Sequence, residues 1–363
     1  MVLVRVATHD DDTVHAVHAA LDAGEPIALL HAKLPAAELA RQRALVETAA
    51  WEPGDAVVLF TSGSTGNARG VVLSRAAIDA AAAACWEHLG RREGDRWLCP
   101  LPLAHAGGLS IVVRSRAAGI PCVLGERDVS ASLLSIVPTQ LADLQPWPAL
   151  RAVLLGGAAA PRPLVDAAVA RGLPVLQTYG LTETFGQVAT AKVPGGPLVP
   201  LPGVTITGGT REAPARLRVR GPMLATRYLD GERIAPELVT ADLGFVEDGY
   251  LHVIGRADDV IITAGENVHP DQVEAVVAVT PGVREVLAFG IADKRWGQVV
   301  AIAIAVDDLF DANRALDAWH HGLASHARPR RLAITTGTLP RLPGGKLDRR
   351  AIASLATSPI EYA

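Results

Sequence analysis

The residues best suited to chemistry crowd into one stretch, Thr61-Ser62-Gly63-Ser64-Thr65-Gly66-Asn67-Ala68-Arg69-Gly70. Residues 56–60, an apolar run, lead into it as a buried strand, and a helical pattern starts at Ser74. Glycines let a backbone approach a ligand closely and turn its N–H groups inward. The hydroxyls add donors at short reach, and Arg69 adds positive charge. Such a loop suits a polyphosphate. Taken alone it also reads as a solvated Ser/Gly hairpin. It differs from the Walker phosphate loop, because no Gly-Lys-Ser/Thr closes it.

The elements around it point to an α/β fold. Of 363 residues, 49% are hydrophobic and 20% charged, which is a globular composition with room for two domains. The formal net charge of −4 carries no nucleic-acid footprint. No run of 18 apolar residues predicts a membrane span, and the first residues lack a signal pattern, so a soluble, cytoplasmic protein is expected. Cys85, Cys99 and Cys122 sit in apolar surroundings and read as buried thiols. No His/Cys cluster has metal-ligand spacing.

Helices are predicted over residues 14–21, 34–49, 75–89 (with Ser74 as N-cap), 109–118, 138–144 and 161–171, and strands over 96–99, 121–124, 152–155 and 174–177. This alternation predicts a largely parallel sheet covered on both faces, with ligands at the carboxyl ends of its strands. The Thr61–Gly70 loop, Gly156-Gly157 and Thr178-Tyr179-Gly180 are all expected at such ends, facing one crevice. Residues 203–255, rich in Gly and Pro with short strands, read as a β-rich subdomain. A second α/β segment follows, with strands over 260–263, 284–291 and 299–306 and helices over 270–279 and 309–327. The expected division is therefore 1–257, with the β-rich part inside it, and 258–363.

Four further stretches follow the first loop in order: Tyr179-Gly180-Leu181-Thr182-Glu183-Thr184, Thr240-Ala241-Asp242, Gly255-Arg256-Ala257-Asp258-Asp259, and Pro340-Arg341-Leu342-Pro343-Gly344-Gly345-Lys346-Leu347-Asp348-Arg349. Together the five resemble the adenylate-forming superfamily of acyl-CoA synthetases, peptide-synthetase adenylation domains and firefly luciferases. The resemblance covers most of the chain from about Gly54. Pro102-Leu103-Ala104-His105-Ala106-Gly107-Gly108 and Ser135-Ile136-Val137-Pro138-Thr139 resemble most the o-succinylbenzoate–CoA ligases of menaquinone synthesis, in a short actinobacterial form, and Gly265-Glu266-Asn267 is similar to small-acid and aryl-acid ligases generally. The chain departs from the pattern in its shorter N-terminal region. Arg69 stands where the phosphate loop usually has Lys, Ala68 where it has Pro, and Ala241 where a Gly precedes Asp242.

The resemblance implies a large N-terminal domain of layered sheets and helices and a small, mobile α+β C-terminal domain. It implies two half-reactions, in which an acid and ATP give an acyl-adenylate and pyrophosphate, and coenzyme A then displaces AMP. It assigns catalysis to Lys346, Thr182 and Glu183, with Glu183 holding Mg²⁺. ATP is expected on Thr61, Ser62, Gly63, Ser64, Thr65, Gly66, Arg69, Gly156, Gly157, Tyr179, Gly180, Thr182, Asp242, Arg256 and Lys346. His105 and Arg114 are expected against the acid, o-succinylbenzoate, with Asp258 or Asp259 as the hinge. Outside this context, Lys346 reads as a surface lysine, Tyr179 as a core aromatic, and Asp242 with Arg256 as a surface ion pair. Competing functions are another aryl- or acyl-CoA synthetase, an adenylation enzyme that loads a carrier protein, and a non-catalytic nucleotide-binding relative. The sequence is compatible with a homo-oligomer.

Overall fold

The computed structural model describes residues 2–61, 68–342, 347–360 and 362. Two sheets enclose a helical layer. The first has five strands in the order Leu3–Ala7, Ile27–His31, Asp55–Phe60, Gly70–Ser74 and Arg227–Tyr228. Its first three strands run parallel, and Gly70–Ser74 returns antiparallel to Asp55–Phe60. The second sheet has eleven strands. Five of them, Cys122–Leu124, Trp97–Cys99, Leu133–Ile136, Ala152–Leu155 and Val175–Leu181, are neighbours in that order and pair parallel.

From Gly186–Ala191 onward this sheet continues antiparallel through Leu198–Pro200, Tyr250–Arg256, Leu238–Glu247, Ala215–Arg220 and Thr205–Thr207. The expectation of a largely parallel sheet is thus met in one half only. Strand Val175–Leu181 turns back through a single helical turn, Thr182–Thr184, with Phe185 at φ 50°. No crossover helix follows, so the next strand must pair antiparallel.

Helices Arg75–Leu89 and Ala106–Ala118 fill the space between the sheets. The first presents small residues, Ala77, Ala81, Ala82, Ala84 and Cys85, to the core, which lets its backbone pack closely. Its N-terminus is capped as expected, with Ser74 Oγ accepting the Ala77 N–H at 3.1 Å. The second is buried from Ala106 to Ser115 apart from Gly107. Gly108 lies so close to the Leu101 and Pro102 carbonyls that a Cβ would come within 2.6 Å and 2.3 Å of them. That close approach places His105 at the start of a helix aimed into the core. No helix among the described residues is long and apolar enough to cross a membrane.

The C-terminal segment builds its own sheet around the long hairpin Val283–Asp293 and Gly297–Val306, with helices Pro270–Val277 and Ala312–Gly322 against it. Glu274 accepts the Ala288 N–H at 2.9 Å, and Arg349 lies 3.5 Å away. Its side chain is only 15% exposed. Burial outweighs Arg349 and pushes its pKa up to about 7. The native state then holds this proton between about pH 4.5 and 7 while the unfolded chain has lost it. The associated stability is complete below about pH 4.5, and up to about 3 kcal/mol is lost as pH rises through 7. Glu274→Gln should flatten that part of the stability–pH curve measured by thermal unfolding. An unchanged slope would show that Glu274 is ionised throughout.

Candidate active site

Three of the motif stretches meet on one side of the large sheet. Strand Ala152–Leu155 ends at Gly156, whose missing side chain makes room for Thr178 of the neighbouring strand; a Cβ there would lie 2.3 Å from Thr178 Oγ1. Thr178, Tyr179 and Gly180 lie inside strand Val175–Leu181, not beyond its end. Gly180 is pressed against the returning strand, where a Cβ would fall 1.9 Å from the Gly186 carbonyl oxygen. Glycine is required there sterically.

Tyr179 donates its hydroxyl to Asp242 Oδ2 at 2.7 Å, across 63 residues of sequence. Burial, then the Asp242 charge, pushes the Tyr179 pKa upward, so the phenol stays a donor. Asp242 pairs in register with Arg256 on the adjacent strand, with Arg256 Nη1 3.8 Å from Asp242 Oδ1. Arg256 also approaches Asp258 at 3.6 Å and Asp259 at 3.9 Å. Tyr179, Asp242, Arg256 and the expected hinge therefore form one polar cluster at the junction with the C-terminal segment. Asp258 pairs with Arg216 at 3.0 Å, and Asp259 with Arg349 at 3.2 Å.

At the base of the glycine-rich loop, Thr61 N–H donates to the Arg69 carbonyl at 2.9 Å, and Arg69 N–H donates to Thr61 Oγ1 at 3.1 Å. Ser62, Gly63, Ser64, Thr65 and Gly66 lie outside the described residues, as does Lys346. Arg69 Nη2 contacts Asp230 and Glu232, each at 2.7 Å. Glu183 and Thr182 sit in the single turn that ends strand Val175–Leu181. Glu183 Oε1 accepts the Tyr228 hydroxyl at 2.9 Å.

No group of three or more His, Cys, Asp or Glu among the described residues could hold a metal by itself. Mg²⁺ typically takes only one or two protein carboxylates together with substrate phosphates and water, and Glu183 is a carboxylate that could serve as one.

His105 and Arg114 lie on the buried helix. The His105 ring is 5.1 Å from that of His31, at the end of strand Ile27–His31. Arg114 is 3% exposed. Its Nη1 donates to Gln187 Oε1 at 3.1 Å, and its guanidinium lies 5.9 Å from the Trp97 ring. Its Nε and Nη2 have no hydrogen-bond acceptor among the described residues. A buried cation without a carboxylate partner among the described residues is costly.

The sequence reading missed His31, Gln187 and Tyr228. His31 closes a visible apolar run, residues 27–30. Gln187 and Tyr228 had no local signal, because their partners are 73 and 45 residues away.

A model of the AMP-binding enzyme family matches residues 2–229, more than half of the chain, and a model of the AMP-binding enzyme C-terminal domain matches residues 272–346. The chain belongs to the AMP-binding enzyme family. Within it, the chain is 32% identical over 338 residues to a 2-succinylbenzoate–CoA ligase of Bacillus cereus, spanning 82% of this chain and 69% of that one. Its fold matches o-succinylbenzoate CoA synthetase from Bacillus subtilis in complex with the acyl-adenylate intermediate OSB-AMP. That match has a TM-score of 0.87 at 27% identity and covers 99% of this chain and 89% of that one. The Bacillus subtilis synthetase in complex with ATP and a magnesium ion matches with a TM-score of 0.84 at 27% identity, over 97% and 89% of the two chains.

Proposed function

We infer that this AMP-binding enzyme is an acid–thiol ligase. It activates 2-succinylbenzoate with ATP to the acyl-adenylate and then transfers the acyl group to coenzyme A, releasing AMP and pyrophosphate, a step of menaquinone biosynthesis. The observation that carries the choice of acid is Arg114, a buried guanidinium with two nitrogens lacking acceptors. 2-Succinylbenzoate has two carboxylates and only the succinyl one is activated. The aromatic one needs a cation, and Arg can engage a carboxylate through two parallel bonds. His105 would line the same pocket from the helix start.

Carboxylates are poor electrophiles toward thiols, and the adenylate supplies a leaving group. Attack of the succinyl carboxylate on the α-phosphate breaks the bond to pyrophosphate, so positioning and charge neutralisation carry the step. Thr61, Ser62, Gly63, Ser64, Thr65 and Gly66 would cradle the phosphates. Tyr179 would stack on adenine beside the Gly156-Gly157 backbone, with Gly180 next to it in the strand. Asp242 would accept from the ribose hydroxyls, with Arg256 beside it, and Thr182 would donate to the α-phosphate. Lys346 would bridge carboxylate and α-phosphate as charge moves between them. Mg²⁺, held by Glu183, would supply charge neutralisation at the phosphates. Residues 1–257 would form the nucleotide- and acid-binding domain and 258–363 the mobile domain.

Pyrophosphate release with a panel of acids tests the reading. Release with 2-succinylbenzoate, and thioester formation only when coenzyme A is added, is expected. Pyrophosphate release with no thioester formed on coenzyme A, the acyl group passing to a carrier protein instead, would replace it.

The turn Ala257–Asp259 would be the hinge between half-reactions. Proline fixes φ near −65°, so Asp258→Pro or Asp259→Pro should spare one half-reaction and block the other. Unchanged rates of both half-reactions in both variants would remove the hinge from this turn.

A further inference from the structure

Arg69 replaces the lysine expected in the phosphate loop, and its surroundings point to a different task. Its Nη2 is shared by Asp230 and Glu232, at 2.7 Å from each. Two carboxylates around one guanidinium leave the immediate neighbourhood net negative, a poor attractor for polyphosphate. The guanidinium carbon sits 3.5 Å from the centre of the Tyr228 ring. The opposite end of that tyrosine, its hydroxyl, donates to Glu183 Oε1 at 2.9 Å.

This arrangement is firmly built. Strand Arg227–Tyr228 pairs with strand Gly70–Ser74, with Tyr228 opposite Val71. Arg227 is 5% exposed and grips Asp55 through two bonds of 2.9 Å and 2.7 Å. The Ala225 N–H donates to the Glu183 carbonyl at 2.8 Å, and the Leu229 N–H to the Gly70 carbonyl at 2.8 Å. The exit of the phosphate loop, the 225–232 hairpin and the Glu183 turn are thus one hydrogen-bonded unit.

We propose that Tyr228 is a positioning residue for Glu183, holding one carboxylate oxygen so that the other faces the metal, and that Arg69 acts on the site through the Tyr228 ring and not through phosphate. The inference rests on the reading of Glu183 as the Mg²⁺ carboxylate. Mg²⁺ demands near-ideal octahedral geometry and is typically held by only one or two protein carboxylates, so the orientation of a single carboxylate matters. A cation on the ring face polarises the phenol and strengthens its O–H as a donor.

The test is direct binding of ATP in the absence of acid, by calorimetry, with saturating Mg²⁺ and with none. Tyr228→Phe keeps the ring and the Arg69 stack and removes only the hydroxyl. It should weaken binding with Mg²⁺ by about 10-fold or more and leave metal-free binding unchanged. Arg69→Gln should move in the same direction, also only with Mg²⁺. Glu183→Gln should lose at least as much of the Mg²⁺ dependence. A Tyr228→Phe loss that is equal with and without Mg²⁺, or no loss, overturns the positioning role while leaving Glu183 as the metal carboxylate. An Arg69→Gln loss of metal-free binding makes Arg69 a phosphate ligand and overturns its indirect role. An unaltered Mg²⁺ dependence in Glu183→Gln overturns the assignment of Glu183 and the inference with it.

Discussion

Lys346→Ala should lower the rate of adenylate formation by about 10²–10³-fold, the usual cost of removing one transition-state donor, and leave thioester formation from supplied acyl-adenylate largely intact. The acyl carboxylate and the α-phosphate are both anionic. As one attacks the other, the repulsion between them must be offset where charge accumulates. Lys346 is the cation proposed to offset it. The residues flanking 343–346 are held at their base, with Arg341 bridged antiparallel to Leu347 and the Asp348 N–H bonded to the Pro340 carbonyl at 2.8 Å. Arg341 is also ion-paired to Glu285. Substitution at Lys346 should therefore leave the small domain folded. Pyrophosphate release and single-turnover thioester formation, measured side by side, separate the steps. An equal fall in both would make Lys346 a structural residue or a participant in each.

Arg114→Ala should raise KM for 2-succinylbenzoate by roughly 1.5–3 kcal/mol of lost charge-assisted bonding, about 10- to 150-fold, with KM for ATP little changed. The guanidinium is held in place by protein contacts. Gln187 holds Nη1, the Trp97 ring lies beside it, and the Trp86 indole N–H donates to the Arg114 carbonyl at 2.8 Å. Arg114→Lys keeps the charge but loses the planar fork, so it should recover only part of the loss. A benzoylpropionate analogue lacking the aromatic carboxylate should be insensitive to either change. If KM rose equally for both acids, Arg114 would be supporting the fold and not the carboxylate.

The local elements were legible where pattern and cap agreed. Helix Arg75–Leu89 and its Ser74 cap follow from spacing alone, as does strand Asp55–Phe60. Strand Gly70–Ser74 was not legible, because Val71-Val72-Leu73 lies between a glycine and a helix cap and is too short for periodicity to separate it from the helix. Short strands within 203–255 were expected from local texture, and two of them form as Ala215–Arg220 and Tyr250–Arg256. That they extend the large sheet is decided by long-range register, which a local pattern does not encode.

The candidate site shows the same division. The family resemblance of the motifs pointed to Tyr179, Asp242 and Glu183. The contacts that define their states, Tyr179 on Asp242 and Tyr228 on Glu183, arise only on folding. Arg69 is the sharpest case. Its charge was read as available to phosphate, yet its carboxylate partners are 161 and 163 residues away in the chain.

The central claim, that this AMP-binding enzyme joins 2-succinylbenzoate to coenzyme A through an adenylate, is tested most directly by mass spectrometry of the product. The purified protein is given ATP, Mg²⁺, coenzyme A and an equimolar mixture of aryl and acyl acids that includes 2-succinylbenzoate. The account predicts that 2-succinylbenzoyl-CoA dominates and that AMP forms in equal amount. A different acyl-CoA as the main product, or none at all with ATP left intact, would contradict it.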